Sequence, residues 1–177
     1  MIQVKIKRVA LLGAGAVGAY FVWGLSEKMG DNFCVIAKGD RKKRLERDGL
    51  VINGKQYLFS VKEPQDAKNI DLLLVSSKQD ALKDALKDIQ TIVNKNTMVI
   101  SLLNGVSSEE IIGAAIGMEH MLYSVMRIAS VRKENQITFS VHMGTILSDF
   151  VPTHVASDDL IHTVDDLLKN AFKATKT

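Results

Sequence analysis

Apolar residues fall along this chain in short continuous runs separated by amphipathic stretches. "VKIKRVALL" (4–12), "FCVIA" (33–37), "DLLLVSS" (71–77) and "TMVISLL" (97–103) have the length and composition of strands. Their unbroken hydrophobicity is that of strands covered on both faces, as in a parallel sheet. Between them the period changes. "AVGAYFVWGLSEKM" (16–29) places apolar side chains at Val17, Tyr20, Phe21 and Leu25, and residues 80–93 carry a stripe of Leu82, Leu86, Ile89 and Val93. Both read as helices. "DRKKRLERDG" (40–49) predicts a short polar helix, with Asp40 capping its start and Gly49 ending it. Asn53-Gly54 between β-formers in "LVINGKQYLFSV" (50–61) predicts a hairpin. Ser107, with Glu110 three residues on, reads as a capping box opening a helix over 108–115.

Beyond residue 120 the rhythm alters. Residues 120–128, 136–141 and 144–150 read as strands joined by short polar links without intervening helices, and 157–172 as a last amphipathic helix capped by Ser157. Strand and helix alternating in the first two thirds is the pattern of right-handed crossovers about a parallel sheet. The expectation is an α/β, Rossmann-type doubly wound domain over residues 1–177, with an added mixed or antiparallel section at its C-terminal end.

Composition narrows the function classes. The 177 residues are 46% hydrophobic and 24% charged, as in a globular domain, and the net charge of +3 is too mild to mark a nucleic-acid binder. A single cysteine, Cys34, excludes an internal disulfide, and its place in an apolar run makes it a small buried hydrophobe. Lys5, Lys7 and Arg8 followed by the apolar run 9–25 imitate a signal sequence. Glycines at 13, 15, 18 and 24 and the run's shortness favour a strand, a turn and a helix instead. We therefore expect a cytoplasmic protein with neither membrane nor nucleic acid as partner. His120, His142, His154 and His162 lack ligand spacing and there is no cysteine pair, so no metal site is expected.

The candidate chemistry lies in the turn after the first strand. Gly13, Gly15 and Gly18 match G-x-G-x-x-G, between a predicted strand and a predicted helix. Gly13 permits the tight turn, Gly15 leaves the backbone open to a pyrophosphate, and Gly18 lets the helix pack close to the strand. The segment Gly13, Ala14, Gly15, Ala16, Val17 and Gly18 would thus hold a dinucleotide on helical N–H groups. An acid about 20 residues on would select NAD. The second strand instead ends in "VIAKGDRKKR", with Lys38 at the acid's position and Arg41 close behind; Asp40 is the rival acid, explained as the cap of the following helix. These cations pair with a 2′-phosphate and favour NADP(H).

Together "ALLGAGAVGAYF", "VIAKGDRKKRLERDGL", "LLLVSSK" and "LLNGVSSEE" resemble the ketopantoate reductase family, the 2-dehydropantoate 2-reductases, in order from about residue 7 to 130 and more loosely to 177. The resemblance implies NADPH-dependent reduction of 2-dehydropantoate to pantoate in pantothenate and coenzyme A biosynthesis. It implies that Lys38 meets the 2′-phosphate, that Lys78 stands at the mouth of the cofactor site, and that Asn104 lies beside nicotinamide and substrate. Two stretches depart from the family pattern. Gln79 directly follows Lys78, and "HMGTILSDF" is not glycine-rich. Family members also continue into a helical domain that carries the general-acid lysine. This chain is therefore read as the cofactor half, inactive alone, with Lys78 and Asn104 in positioning roles. The partners expected are a small 2-keto acid and a second copy of the chain, docked through the surface such a domain would cover. The alternatives are a stand-alone NADP-binding module or a redox sensor without turnover.

Overall fold

The computed structural model describes residues 6–103, 107–124 and 129–139, together with Asp166, which lies in a helix. In chain order the elements are β1 (Val9–Leu12), α1 (Ala16–Met29), β2 (Phe33–Ile36), α2 (Gly39–Asp48), β3 (Leu50–Ile52), β4 (Lys55–Tyr57) and β5 (Ser60–Lys62). They continue with β6 (Leu72–Val75), α3 (Leu82–Ile92), β7 (Met98–Ser101), α4 (Ser107–Ile116), β8 (Met121–Leu122), β9 (Ser130–Lys133) and β10 (Gln136–Phe139).

Among the described residues the main sheet has six strands in the order β5-β2-β1-β6-β7-β8, every pair parallel. All four residues of β1, β2, β6 and β7 are buried, which accounts for their continuous apolar sequence. The strand order reverses at β1, whose neighbours are β2 and β6. In a sheet of this kind the crevice beyond the carboxyl ends of the strands at the reversal is where ligands bind.

A second sheet, β4-β3-β10-β9, is mixed: its two hairpins are antiparallel and β10 pairs β3 in parallel. The β3–β4 hairpin turns through Asn53 (φ 49°) and Gly54 (φ 83°), the left-handed pair that a tight hairpin needs. The Asn53 side-chain oxygen also accepts the amide of Phe139 at 3.0 Å, joining the two hairpins.

Helix α1 lies between the sheets. Tyr20, Phe21, Val22 and Leu25 share one core with Val9, Leu11 and Val35 of the main sheet and with Leu50, Ile52, Ile137 and Phe139 of the second. Burial from two sides explains the apolar sequence of α1. Among the described residues no helix is long and apolar enough to cross a membrane. The opposite face of the main sheet is covered by Leu82, Ala85, Ile89 and Ile92 of α3 and Ile112 of α4. Cys34 is buried there, and burial pushes its thiol pKa up to about 11.

Several sequence expectations need correction. Asp40 does not cap α2: the cap position is Lys38, without a side-chain cap, and Asp40 lies within the first turn. Gly49 does end that helix, at φ 59°. Helix α4 already includes Ser107, so Ser107 is a residue of the helix rather than its cap. The segment 50–61 is not one hairpin, because β5 leaves it to become an edge strand of the main sheet. A polar link expected before residue 136 is strand β9 instead, paired with β10. Of the strand expected over 120–128, Met121–Leu122 is present. The strand at 144–150 lies outside the described residues, as does the helix at 157–172 apart from Asp166.

Candidate functional site

Three strand ends meet at the crevice. From β1 the chain enters the glycine turn. Gly13 stands at φ 96°, and a Cβ there would come within 2.9–3.0 Å of the Ser76 carbonyl group. A Cβ on Gly18 would run into the Gly13 carbonyl oxygen and stand 2.6 Å from Ser76 Oγ. Both glycines are therefore demanded by the packing of the turn against the end of β6. Gly15 differs. Its φ is −84°, and a Cβ on it would meet nothing within 4 Å among the described residues. The fold leaves the approach to Gly15 open, on the side a pyrophosphate requires.

The start of α1 matches that reading. Its first turn has no side-chain cap and no acidic residue. The other α-helices described carry Asp40, Asp84, or Glu109 and Glu110 in their first turns. Among the described residues, the positive end of the α1 dipole and the N–H groups of its first turn are thus left for an anionic group.

Ser76, which the sequence reading passed over, holds the turn in place. Its hydroxyl donates to the Gly13 carbonyl at 2.6 Å and its amide to the Leu12 carbonyl at 2.8 Å. Ser77 follows with a buried hydroxyl that has no hydrogen-bond partner among the described residues. Lys78 comes next, exposed, its carbonyl accepting the amide of Ala81 at 3.0 Å. Beside it, Ser101 ends β7 in register with Val75. Asn104 lies outside the described residues. The Leu102 amide donates to the Val75 carbonyl at 2.8 Å, so the chain leaves toward residue 104 alongside the β6 end.

After β2, the two predicted phosphate ligands part company. Lys38 Nζ lies 2.8 Å from Asp88 Oδ1 of α3. Arg41 instead lines a cavity of about 470 Å³ with Arg44 and Arg132. Burial, then the nearby charges of Arg132 and Arg44, hold the Arg41 guanidinium below its ordinary pKa. Sequence reasoning missed the contribution of β9. Arg132 Nη1 donates to the Ala14 carbonyl and Ser130 Oγ to the Ala16 carbonyl, both at 2.9 Å. The second sheet thus rests on the glycine turn. The readable signal was "SVRKENQITF", two short β-forming segments about a polar turn.

The comparisons with known proteins agree with this architecture. The family model of ketopantoate reductase PanE/ApbA matches residues 9–150. The uncharacterized oxidoreductase YkpB of Bacillus subtilis is 28% identical over 125 residues, covering 68% of this chain and 41% of that protein. A 2-dehydropantoate 2-reductase of Streptococcus pyogenes is 29% identical over 121 residues, covering 66% of this chain and 39% of that protein. The chain thus spans about two fifths of the length of these relatives. Among solved structures, 2-dehydropantoate 2-reductase from Geobacter metallireducens superposes with a TM-score of 0.76 at 23% identity, over 93% of this chain and 55% of that one. D-mandelate dehydrogenase, solved with NADH and anilino(oxo)acetate, superposes with a TM-score of 0.71 at 20% identity, over 93% and 54%. At these identities the superpositions speak for the fold.

Proposed function

This chain belongs to the ketopantoate reductase family, and from that premise we propose that it is the NADP(H)-binding half of a cytoplasmic reductase of 2-keto acids, with 2-dehydropantoate as substrate. The observation that carries the cofactor assignment is the contrast among the glycines. The fold itself requires Gly13 and Gly18, whereas the open space at Gly15 serves no packing purpose. Lys38 stands after β2 at the position of an NAD-selecting acid, with Arg41 just beyond Asp40, and these two cations suit a 2′-phosphate.

When bound, NADPH supplies the hydride. The chain's own residues hold and orient. The N–H groups at the start of α1 take the pyrophosphate, while Lys78 and Asn104 position the keto acid at the ends of β6 and β7. Reduction of a ketone develops negative charge on its oxygen, and a positioned acid typically contributes about 10²–10⁴-fold. We place that acid outside these 177 residues, in a helical domain of the kind the family carries.

The test is NADPH oxidation in the presence of ketopantoate. The 177-residue chain should bind NADPH and turn over negligibly. Fusion after Thr177 to the helical domain of a full-length relative should produce turnover. Robust reduction by the chain alone would overturn the two-half reading and make Lys78 and Asn104 the catalytic pair.

A further inference from the structure

Three guanidinium groups converge on one cavity beside the glycine turn. Arg41 and Arg44 stand one helical turn apart on α2, and Arg132 arrives from β9 of the second sheet. Among the described residues none of the three has an ion-pair partner. Asp48 lines the same cavity, but its carboxylate is taken by Arg47, at 2.8 Å from Nε and 2.7 Å from Nη2. Glu134 lines it too, and its backbone carbonyl accepts Arg132 Nε at 2.8 Å. With Nη1 on the Ala14 carbonyl, Arg132 is held from two sides and keeps Nη2 for another acceptor. Cations this close repel one another. Two carboxylates line the cavity with them, yet among the described residues neither is ion-paired to any of the three, so the guanidinium groups can serve as a receptor for a multiply charged anion, and a planar fork suits phosphate oxygens.

Place decides which anion. Arg132 touches Ala14, between the first two glycines of the turn, and Arg41 lies three residues beyond Lys38 at the end of β2. The cavity is therefore lined both by a residue that touches the glycine turn and by the helix that follows β2, the strand whose end meets the adenosine ribose in folds of this kind. Lys38 is turned to the opposite face of the main sheet by Asp88 of α3. We propose that Arg41, Arg44 and Arg132 form the receptor for the ribose 2′-phosphate, with Arg132 reaching in from the second sheet as a specificity-determining residue. The proposal rests on the reading that the dinucleotide is NADP(H). It adds that the second sheet takes part in choosing the cofactor, so that one residue both fixes the glycine turn and reads the phosphate.

The experiment compares dissociation constants of NADPH and NADH for the wild-type chain and for Arg41→Gln, Arg132→Gln and Arg132→Lys, with circular dichroism to confirm folding. The quantity read is the ratio of the NADH to the NADPH constant. Loss of a charge-assisted pair should lower that ratio about tenfold or more in both glutamine variants, with partial recovery in Arg132→Lys. Arg41→Gln keeps the test decisive if Arg132→Gln loosens the Ala14 contact and fails to fold. An unchanged ratio in folded Arg41→Gln and Arg132→Gln would overturn the proposal while leaving NADP(H) binding intact. A fall of both affinities by the same factor in Arg132→Gln would reduce that residue to a support for the turn and also overturn its phosphate role. Equal NADPH and NADH affinity in the wild type would instead sink the underlying cofactor reading.

Discussion

The hydroxyl of Ser76 donates to the carbonyl of Gly13 at 2.6 Å, across 63 positions of sequence. It ties the end of β6 to the glycine turn where the strand order reverses. Ser76→Ala removes the donor and leaves a partly buried carbonyl unpaired, which should lower stability by about 1–3 kcal/mol. Urea titration reads that loss. NADPH affinity should fall with it, because the turn is less firmly held, and an unchanged denaturation midpoint would show that the turn needs no such tie.

The three glycines should respond differently to a side chain. Gly18→Val forces carbons into the Gly13 carbonyl and Ser76 Oγ, so it should destabilise by roughly 1–3 kcal/mol or more. Gly15→Val meets open space and should fold with a stability change within about 1 kcal/mol, yet lose NADPH binding. Calorimetric titration of the folded Gly15→Val protein decides; wild-type affinity would put the dinucleotide elsewhere.

Lys38 and Asp88 form an exposed pair, with Lys38 the more open of the two. Such a pair contributes roughly 0.2–1 kcal/mol, so Asp88→Asn should barely move the thermal midpoint. It should free Lys38 to turn back toward the end of β2 and tighten NADPH by a few-fold, whereas Lys38→Asp, by placing a carboxylate where an NAD-selecting acid stands, should weaken NADPH more than NADH. If Asp88→Asn and Lys38→Asp both leave NADPH affinity where it was, Lys38 has no part in cofactor choice.

Glu109 is 3% exposed near the start of α4, accepting the Ser108 hydroxyl at 2.9 Å. Burial, the largest cause, raises its carboxyl pKa. The folded protein therefore holds this proton more tightly than the unfolded chain. Its contribution is fully present below the unfolded pKa and is lost as pH rises through the folded one. Glu109→Gln should remove that loss, so the variant gains on wild type between pH 4 and pH 8. Guanidinium denaturation at both pH values checks the sign; a variant that loses ground toward pH 8 would contradict it.

The sequence by itself determined the layered α/β architecture and the glycine turn. Both rest on local rules: unbroken apolar runs for strands covered on two faces, a helical period between them, and glycine where side chains cannot go. Asn53-Gly54 and Gly49 were legible for the same reason, since a left-handed backbone is a property of the residue and its immediate neighbours. Asp40 was misplaced because capping depends on where the preceding strand releases the chain, which composition does not reveal. Strand β9 was missed because "SVRK" is mostly exposed and gains its identity from β10 and from the turn it rests on. The tertiary structure alone brought Arg132 to Ala14 over 118 residues, and it alone sent Lys38 to Asp88 while Arg41 joined a different cavity. Hydrophobic period is written in neighbouring residues, whereas the meeting of two charges depends on how distant segments pack, and no spacing along the chain encodes that distance.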